Sequence, residues 1–330
     1  YSSMHSANRR IPIKASYSQL SNSSCKVLHP VEVIEPVGPH YNEASTIEYL
    51  AGFDLLNNEE ILVPAEIAYY RFYPKSPAVS VFQCSHTNGL ASGNVIEEAI
   101  CHALCEVIER DAASIPDLCA SSIPYSLLKK KINLLNGQIK EGFAETQNPE
   151  EKFIDDPTIF PDVDISEVAD EYEPIKFLVK KFNDAGISLL IKDITQKDIG
   201  IPTFVASSVE GITSDYGIYA KGYGAHLDAR IALMRAITEL SQTRAANIQG
   251  ARDDFKKIQY KENDEIYKRK WQFMPASFSR SGKSKTKTIM FSEIRTYINE
   301  DILDDIKLIL DFLKNAGLRR AIIVDLTNPN

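Results

Sequence analysis

The chain has 330 residues, 44% of them apolar, 25% charged and 9% aromatic, which supplies enough apolar surface for one large domain or two ordinary ones. A formal net charge of −8 argues against non-specific binding to nucleic acid or to an anionic membrane. Five cysteines, at 25, 84, 101, 105 and 119, do not make a disulfide framework for this length, so a reducing, cytoplasmic setting is expected. No apolar run approaches the roughly 20 residues of a membrane span.

Up to Glu43 the sequence is rich in Ser, Pro and His and poorly periodic, and no signal peptide is visible at its start. From Ala44 the pattern sharpens. STIEYLAGFDLL and EILVPAEIAYY are strand-length runs of β-branched and aromatic residues, with Asn57 and Asn58 as the turn between them. Residues from about Cys119 to Val168 mix apolar patches with Lys, Asn and Pro and resist assignment. IKFLVKKFNDAGISLLIKDITQKDIGIP, from Ile175, and IKLILDFLKNAGLRRAIIVDLTNPN, from Ile306, then repeat one plan. Each reads as an amphipathic helix stopped by Ala-Gly, followed by an apolar strand ending in Asp-hydrophobic-Thr. The fold class expected is α/β of the mixed α+β kind, with layered helices and sheet and an internal helix–strand pseudo-repeat. The first copy runs on into TFVASSV, whereas the second stops at Asn330, so a further C-terminal strand and a break near Lys14 are expected. The basic run GKSKTKT near Lys283 reads as a solvated loop rather than a nucleic-acid patch.

Two helices carry the candidate chemistry. Ser85 to Ala112 reads SHTNGLASGNVIEEAICHALCEVIERDA, a loop with two glycines running into a helix. Asn94 is the expected N-cap, with Glu97 completing a capping box. At 100° per residue, Ile96, Ala99, Ile100, Ala103, Leu104, Val107 and Ile108 form the face to be buried. Glu98, Cys101, His102, Cys105, Glu106 and Glu109 fall opposite. Glu106 and Glu109 are close enough to share a divalent cation, and Arg110 flanks them, placed to meet a phosphate. A plain solvated face is the competing reading, but Cys and His are unusual choices for one. A zinc set of Cys101, His102 and Cys105 lacks a second Cys/His pair with finger-like spacing, and hard oxygen ligands favour Mg²⁺. The second helix lies in GYGAHLDARIALMRAITELSQTRAA, Gly222 to Ala246, with Asp228 as N-cap and Ala229, Leu233, Ala236, Ile237 and Leu240 as its buried stripe. Arg235, Glu239 and Gln242 align opposite, with Arg244 near the end. The Gly222-Tyr-Gly224 turn is a weak candidate for a phosphate cradle.

These two stretches, with the strand ends DITQKDIGIP and VDLTNPN, resemble the YcaO family of ATP-dependent enzymes that modify peptide backbones. The resemblance runs from about Ile47 to the end and implies a single YcaO-like domain over 1–330. By resemblance, ATP binds through carboxylate-held Mg²⁺ without a P-loop. Glu106, Glu109 and Glu239 are then the metal ligands, Glu106, Glu109 and Arg110 the catalytic set, and Asn88, Glu239, Gln242, Arg244 and Ser16 the nucleotide contacts. The family also carries a Gly-Lys-Gly loop and a helix with Ser, then Glu four positions on, then Glu-Arg. Lys14, Ala15 and Ser16 are taken as the beginning of that helix, with its glutamates missing. The implied reaction moves the γ-phosphoryl group of ATP to an amide oxygen, after which a nucleophile replaces it. The blocks look most like the archaeal stand-alone branch associated with thioglycine in methyl-coenzyme M reductase. A thioamide product is therefore expected ahead of an azoline, with sulfide or a TfuA-like partner as sulfur source. A non-catalytic scaffold binding a peptide or partner is the reading from another class. A homodimer is the base-rate expectation.

Overall fold

The structure, a computed structural model, describes residues 12–33, 41–70, 87–120, 160–210, 220–249 and 287–327. Ile11, Cys84, the basic run near Lys283 and the last three residues lie outside them. The chain forms two compact units, Tyr1–Ile100 with Ile306–Asn330, and Cys101–Asp305.

The first unit is built on an antiparallel sheet of β1 (Ile13–Ser16), β2 (Thr46–Asp54) and β3 (Glu59–Pro64), with β9 (Ile322–Ile323) also paired to β2. The β2–β3 hairpin is the one expected from the two strand-length runs, in register from Tyr49 opposite Pro64 to Asp54 opposite Glu59. Its turn works through side chains as well as backbone. Asn57 Nδ2 donates to Asp54 Oδ2 at 2.7 Å, and Asn58 takes φ 52°, a left-handed conformation that Asn tolerates. Asp54 is fully buried, and its Oδ1 accepts the backbone N–H groups of Leu56 and Ala321, which ties the C-terminal strand to the hairpin.

One expectation fails here. The second run is strand only as far as Pro64, because Ala65–Ala68 turns into a short helix, α3. Before Glu43, the described residues 12–33 also carry secondary structure. Its β1 is too short to show a period, and pairing to β2 from Ile13 opposite Tyr49 to Ser16 opposite Thr46 holds it. Helices α1 (Tyr17–Ser21) and α2 (Pro30–Val33) follow.

The second unit contains a sheet in the order β7-β6-β5-β4-β8, formed by β4 (Asp162–Asp164), β5 (Ile187–Asp193), β6 (Thr203–Glu210), β7 (Ala220–Ala225) and β8 (Thr288–Met290). All neighbours are antiparallel except β4 with β8. Helices α5 (Ser166–Glu171), α6 (Glu173–Asp184) and α7 (Ala229–Gln249) belong to this unit, and α4 (Ile96–Ala120) begins in the first unit and continues here. The core joins Ile175 and Phe182 of α6 to Phe204 of β6 and to Leu233, Ile237 and Leu240 of α7, so the predicted stripe of α7 is the buried one. Asp228 caps α7 as expected, accepting the N–H of Arg230 at 2.9 Å.

Gly222 and Gly224 lie in β7 rather than in a turn. A Cβ on Gly222 would stand 2.1 Å from the Leu240 nitrogen, and one on Gly224 2.1 Å from the Ala232 oxygen. These glycines let α7 lie flush on the strand, which is a packing role and corrects the phosphate-cradle reading.

Both Ala-Gly stops are present. Helix α6 ends before Gly186, with φ 68°, and α8 (Ile302–Asn315) ends before Gly317, with φ 87°. The repeated plan therefore holds for the helix and its stop, while the strands differ. β5 is an internal strand of seven residues, whereas β9 is two residues at β2.

Candidate functional site

Helix α4 starts one residue later than an Asn94 cap requires. The Asn94 backbone N–H and side-chain amide both donate to Glu98 Oε2, at 2.7 and 3.0 Å, so Glu98 rather than Glu97 reaches back. Gly93 permits this fold-back, since a Cβ there would stand 2.6 Å from the Ala99 nitrogen. That glycine therefore serves the chain's own helix start rather than a ligand. Gly89, with φ 79°, completes the turn in which the Leu90 N–H donates to the Thr87 carbonyl.

The faces of α4 also differ from the single-stripe reading. Cys101, Cys105 and Glu109 are buried, at 7%, 0% and 5% exposure, whereas Val107 is 50% exposed. Ile100 and Ile108 are buried as expected. Further along, Ala112 and Ala113 pack against Ile194 and Val205. Ile96, Ala99, Ala103 and Leu104 of the predicted inward face are only half-buried, so the better-buried side of α4 is the one that carries Cys101, Cys105 and Glu109, which a wheel that sorts residues by hydropathy cannot show. The reading of α4 as a solvated acidic face is excluded for Glu109.

Around Arg110 three carboxylates meet. Its Nε lies 3.7 Å from Glu106 Oε1, and one terminal nitrogen lies 3.5 Å from Glu109 Oε1 and 3.7 Å from Glu239 Oε1. Residues more than a hundred positions apart, on α4 and α7, are thus brought to one guanidinium. The contacts are ion pairs longer than good hydrogen bonds, and none is the bidentate fork that holds an arginine tightly. The third component is backbone. At the sheet edge, β7 turns its Ala225 N–H to Glu109 Oε2 at 3.2 Å and its Tyr223 N–H to the Glu239 carboxylate. Arg235 Nη1 donates to the Ala225 carbonyl at 3.0 Å, so the backbone of Ala225 is held through both its N–H and its C=O.

Burial, reinforced by the nearby Glu239, pushes the Glu109 carboxyl up to about 7, against the lowering pull of Arg110. Burial also raises Glu239. Three carboxylates face one guanidinium, and the surplus negative charge is partly relieved by protonation. A divalent cation would relieve it better.

Of the other residues expected at the site, Gln242 is exposed and Arg244 half-buried, both beyond Glu239 on α7. Ser16 and Asn88 belong to the first unit. Ser16 is buried at the end of β1, where its hydroxyl accepts the Gln19 N–H as the cap of α1. It does not begin a helix of the Ser, Glu, Glu-Arg pattern. Missed from the sequence were the Tyr223 and Ala225 amides. Backbone donors leave no residue-type signal, and only their place on an edge strand marks them.

Residues 1–138 and 152–330 match the family described as YcaO cyclodehydratase, ATP- and Mg²⁺-binding. The chain belongs to the YcaO family. It is 29% identical over 308 residues to an uncharacterised protein of Methanothermobacter thermautotrophicus, an alignment spanning 92% of this chain and 67% of that one. An uncharacterised protein encoded in a tfuA 3′ region of Rhizobium leguminosarum bv. trifolii is 32% identical over 214 residues, 63% of this chain and 41% of that one. Among solved structures, a heterocyclase in complex with substrate and cofactor aligns with a TM-score of 0.62 at 20% identity, over 96% of this chain and 38% of that one. A YcaO protein from Methanopyrus kandleri bound with AMPPCP and Mg²⁺ aligns with a TM-score of 0.60 at 18% identity, over 94% of this chain and 65% of that one. At such identities the likeness shows the fold.

The donor set of this YcaO chain fits the family's cofactors. Oxygen ligands on three converging side chains suit Mg²⁺, and a loosely held arginine suits the phosphates. Among the described residues no helix is long and apolar enough to cross a membrane.

Proposed function

We propose that this chain uses Mg-ATP to activate a backbone amide of a peptide or protein substrate, and that a sulfur nucleophile then yields a thioamide. The observation that carries the reading is the meeting of Glu106, Glu109 and Glu239 at Arg110, within 3.5–3.7 Å. In bound form Mg-ATP supplies a γ-phosphoryl group that converts the amide oxygen into a leaving group. The protein's contribution is placement and charge. Glu106, Glu109 and Glu239 offer the cation their carboxylate oxygens, with Glu109 and Glu239 aimed by the amides of β7. With a cation held there, Glu109 would be ionised and its proton released to solvent, since a neighbouring positive charge favours the charged form. Arg110, held only by long ion pairs, would be available to the phosphates, where it would counter charge developing in transfer. Gln242 and Arg244, beyond Glu239 on α7, and Asn88 and Ser16 of the first unit are assigned to the nucleotide by resemblance alone. Both units are read as parts of one YcaO-like domain over 1–330, with a cytoplasmic setting.

The thioamide outcome is supported by the relative encoded in a tfuA 3′ region and by the likeness to the archaeal stand-alone branch. It makes a TfuA-like protein or sulfide the sulfur source and a glycine of methyl-coenzyme M reductase the candidate target. Azoline formation is the second reading, favoured by the family's description as a cyclodehydratase. Mass spectrometry of a candidate peptide incubated with the full chain, ATP, Mg²⁺ and sulfide decides between them. Exchange of oxygen for sulfur supports the thioamide, loss of one water supports the azoline, and an unchanged peptide with unconsumed ATP refutes both.

A further inference from the structure

Apart from the carboxylates around Arg110, the second unit assembles a cluster that the reaction above leaves unused. The ligand atoms of Cys101, His226 and Asp305 lie within 4.8 Å of one another. One turn along α4, the Cys105 thiol hydrogen-bonds the Cys101 sulfur. We propose that Cys101, Cys105, His226 and Asp305 form a structural zinc site, distinct from the carboxylate–Arg110 cluster.

The donor types decide the metal. Two sulfurs, one imidazole nitrogen and one carboxylate oxygen match the four-coordinate sets that zinc takes, whereas Mg²⁺ takes oxygen donors. Around a tetrahedral zinc, such atoms stand about 3.3–3.8 Å apart, so Cys101, His226 and Asp305, within 4.8 Å of one another, need only small side-chain rotations to close, and Cys105 joins them through its contact with Cys101. Burial suits a closed site, because Cys101 and Cys105 are 7% and 0% exposed. Supporting contacts are already in place. Asn299 Nδ2 donates to Asp305 Oδ1 at 2.9 Å, which holds that carboxylate and leaves Oδ2 for the metal. Charge also balances. Two thiolates and a carboxylate around Zn²⁺ leave one net negative charge, and the Arg235 guanidinium acts electrostatically on both cysteines and on His226.

His226 requires one adjustment. Its Nδ1 accepts the Asp228 N–H at 3.0 Å, so the neutral ring carries its proton on Nε2. Ligation through Nε2 moves that proton to Nδ1 and gives up the Asp228 bond. One neutral hydrogen bond is a small loss beside the free energy of structural zinc binding. The two thiols release their protons on binding. Four ligands leave no open position, so the metal would clamp α4 to the turn before α7 and to the first turn of α8, and would take no part in the reaction. The zinc set weighed and set aside in the sequence, Cys101, His102 and Cys105, shares its two cysteines with this one. His102 is exposed, whereas His226 and Asp305 come from 124 and 203 residues further along.

The test is a Co²⁺ titration of the full, thiol-reduced chain in excess Mg²⁺, which occupies oxygen-only sites. A thiolate-to-cobalt charge-transfer band that saturates at one equivalent supports the site, as does near-stoichiometric zinc in protein purified without chelators. Cys101→Ser and Cys105→Ser each should remove about half the band, Asp305→Asn should weaken Co²⁺ binding at least about tenfold, and Glu109→Gln should leave the band intact. Cys101→Ser and Asp305→Asn keep the test informative if Cys105→Ser, at a fully buried position, does not fold. Absence of the band, or a band unchanged in Cys101→Ser, overturns the proposal. Neither result bears on Mg-ATP binding, so this site and the nucleotide site fail independently.

Discussion

Glu109 should make the protein less stable as the pH rises through neutrality, and its removal should show this directly. Burial raises its carboxyl from 4.5 to about 7. The folded state therefore holds this proton more tightly than the unfolded chain does. The stabilisation is fully present below about pH 4.5 and is lost as pH rises through about 7. At about 1.4 kcal/mol per decade, a rise from 4.5 to about 7 corresponds to about 3 kcal/mol. Glu109→Gln retains an oxygen for the Ala225 N–H and cannot ionise. In urea denaturation without Mg²⁺ or nucleotide, the variant should be within about 1 kcal/mol of wild type at pH 5 and more stable by about 2–3 kcal/mol at pH 8. The same variant should bind Mg-ATP poorly, as expected where a site holds charge at the expense of stability. A stability difference that is the same at pH 5 and pH 8 would refute the reasoning.

Gly224→Ala places a methyl 2.1 Å from the Ala232 oxygen, so denaturation should show a loss of about 3 kcal/mol or more. Gly186→Ala meets nothing within 4 Å and is penalised only by its φ of 68°, so it should lose about 1–2 kcal/mol in the same assay. Equal losses in the two variants would contradict the packing role given to Gly224. Asp54→Ala leaves the buried N–H groups of Leu56 and Ala321 without their acceptor and should cost about 3 kcal/mol; a loss under about 1 kcal/mol would show that the tie is weak.

Legibility in the sequence followed the range of the interactions. The β2–β3 hairpin, the cap and buried stripe of α7 and both Ala-Gly stops are set by residues within a turn or two of one another, and all were readable. β1 and the helix at Ala65–Ala68 were not, because one depends on pairing with a strand thirty residues away and the other continues an apolar run without a period. On α4 the failure has a different cause. The wheel placed Val107 inside and Glu109 outside, because it sorts residues by hydropathy, and the buried side of α4 carries the polar Cys101, Cys105 and Glu109. The glycines misled similarly. Gly93, Gly222 and Gly224 mark close backbone approaches, as glycines often do, but the approaching partner is the chain itself. At the candidate site, Glu106, Glu109, Arg110 and Glu239 could be named from spacing and family resemblance. Their convergence on one guanidinium, and the part played by β7, required the fold.

The central claim is that α4 and α7 jointly hold Mg-ATP through Glu106, Glu109 and Glu239. Isothermal titration of Mg-ATP into the full chain, with Glu106→Ala and Glu239→Gln compared against wild type, tests it most directly. The account predicts Mg²⁺-dependent binding to wild type and at least about tenfold weaker binding to each variant, with both variants folded. Wild-type affinity in both variants, or no Mg-ATP binding by the wild-type chain, would contradict it.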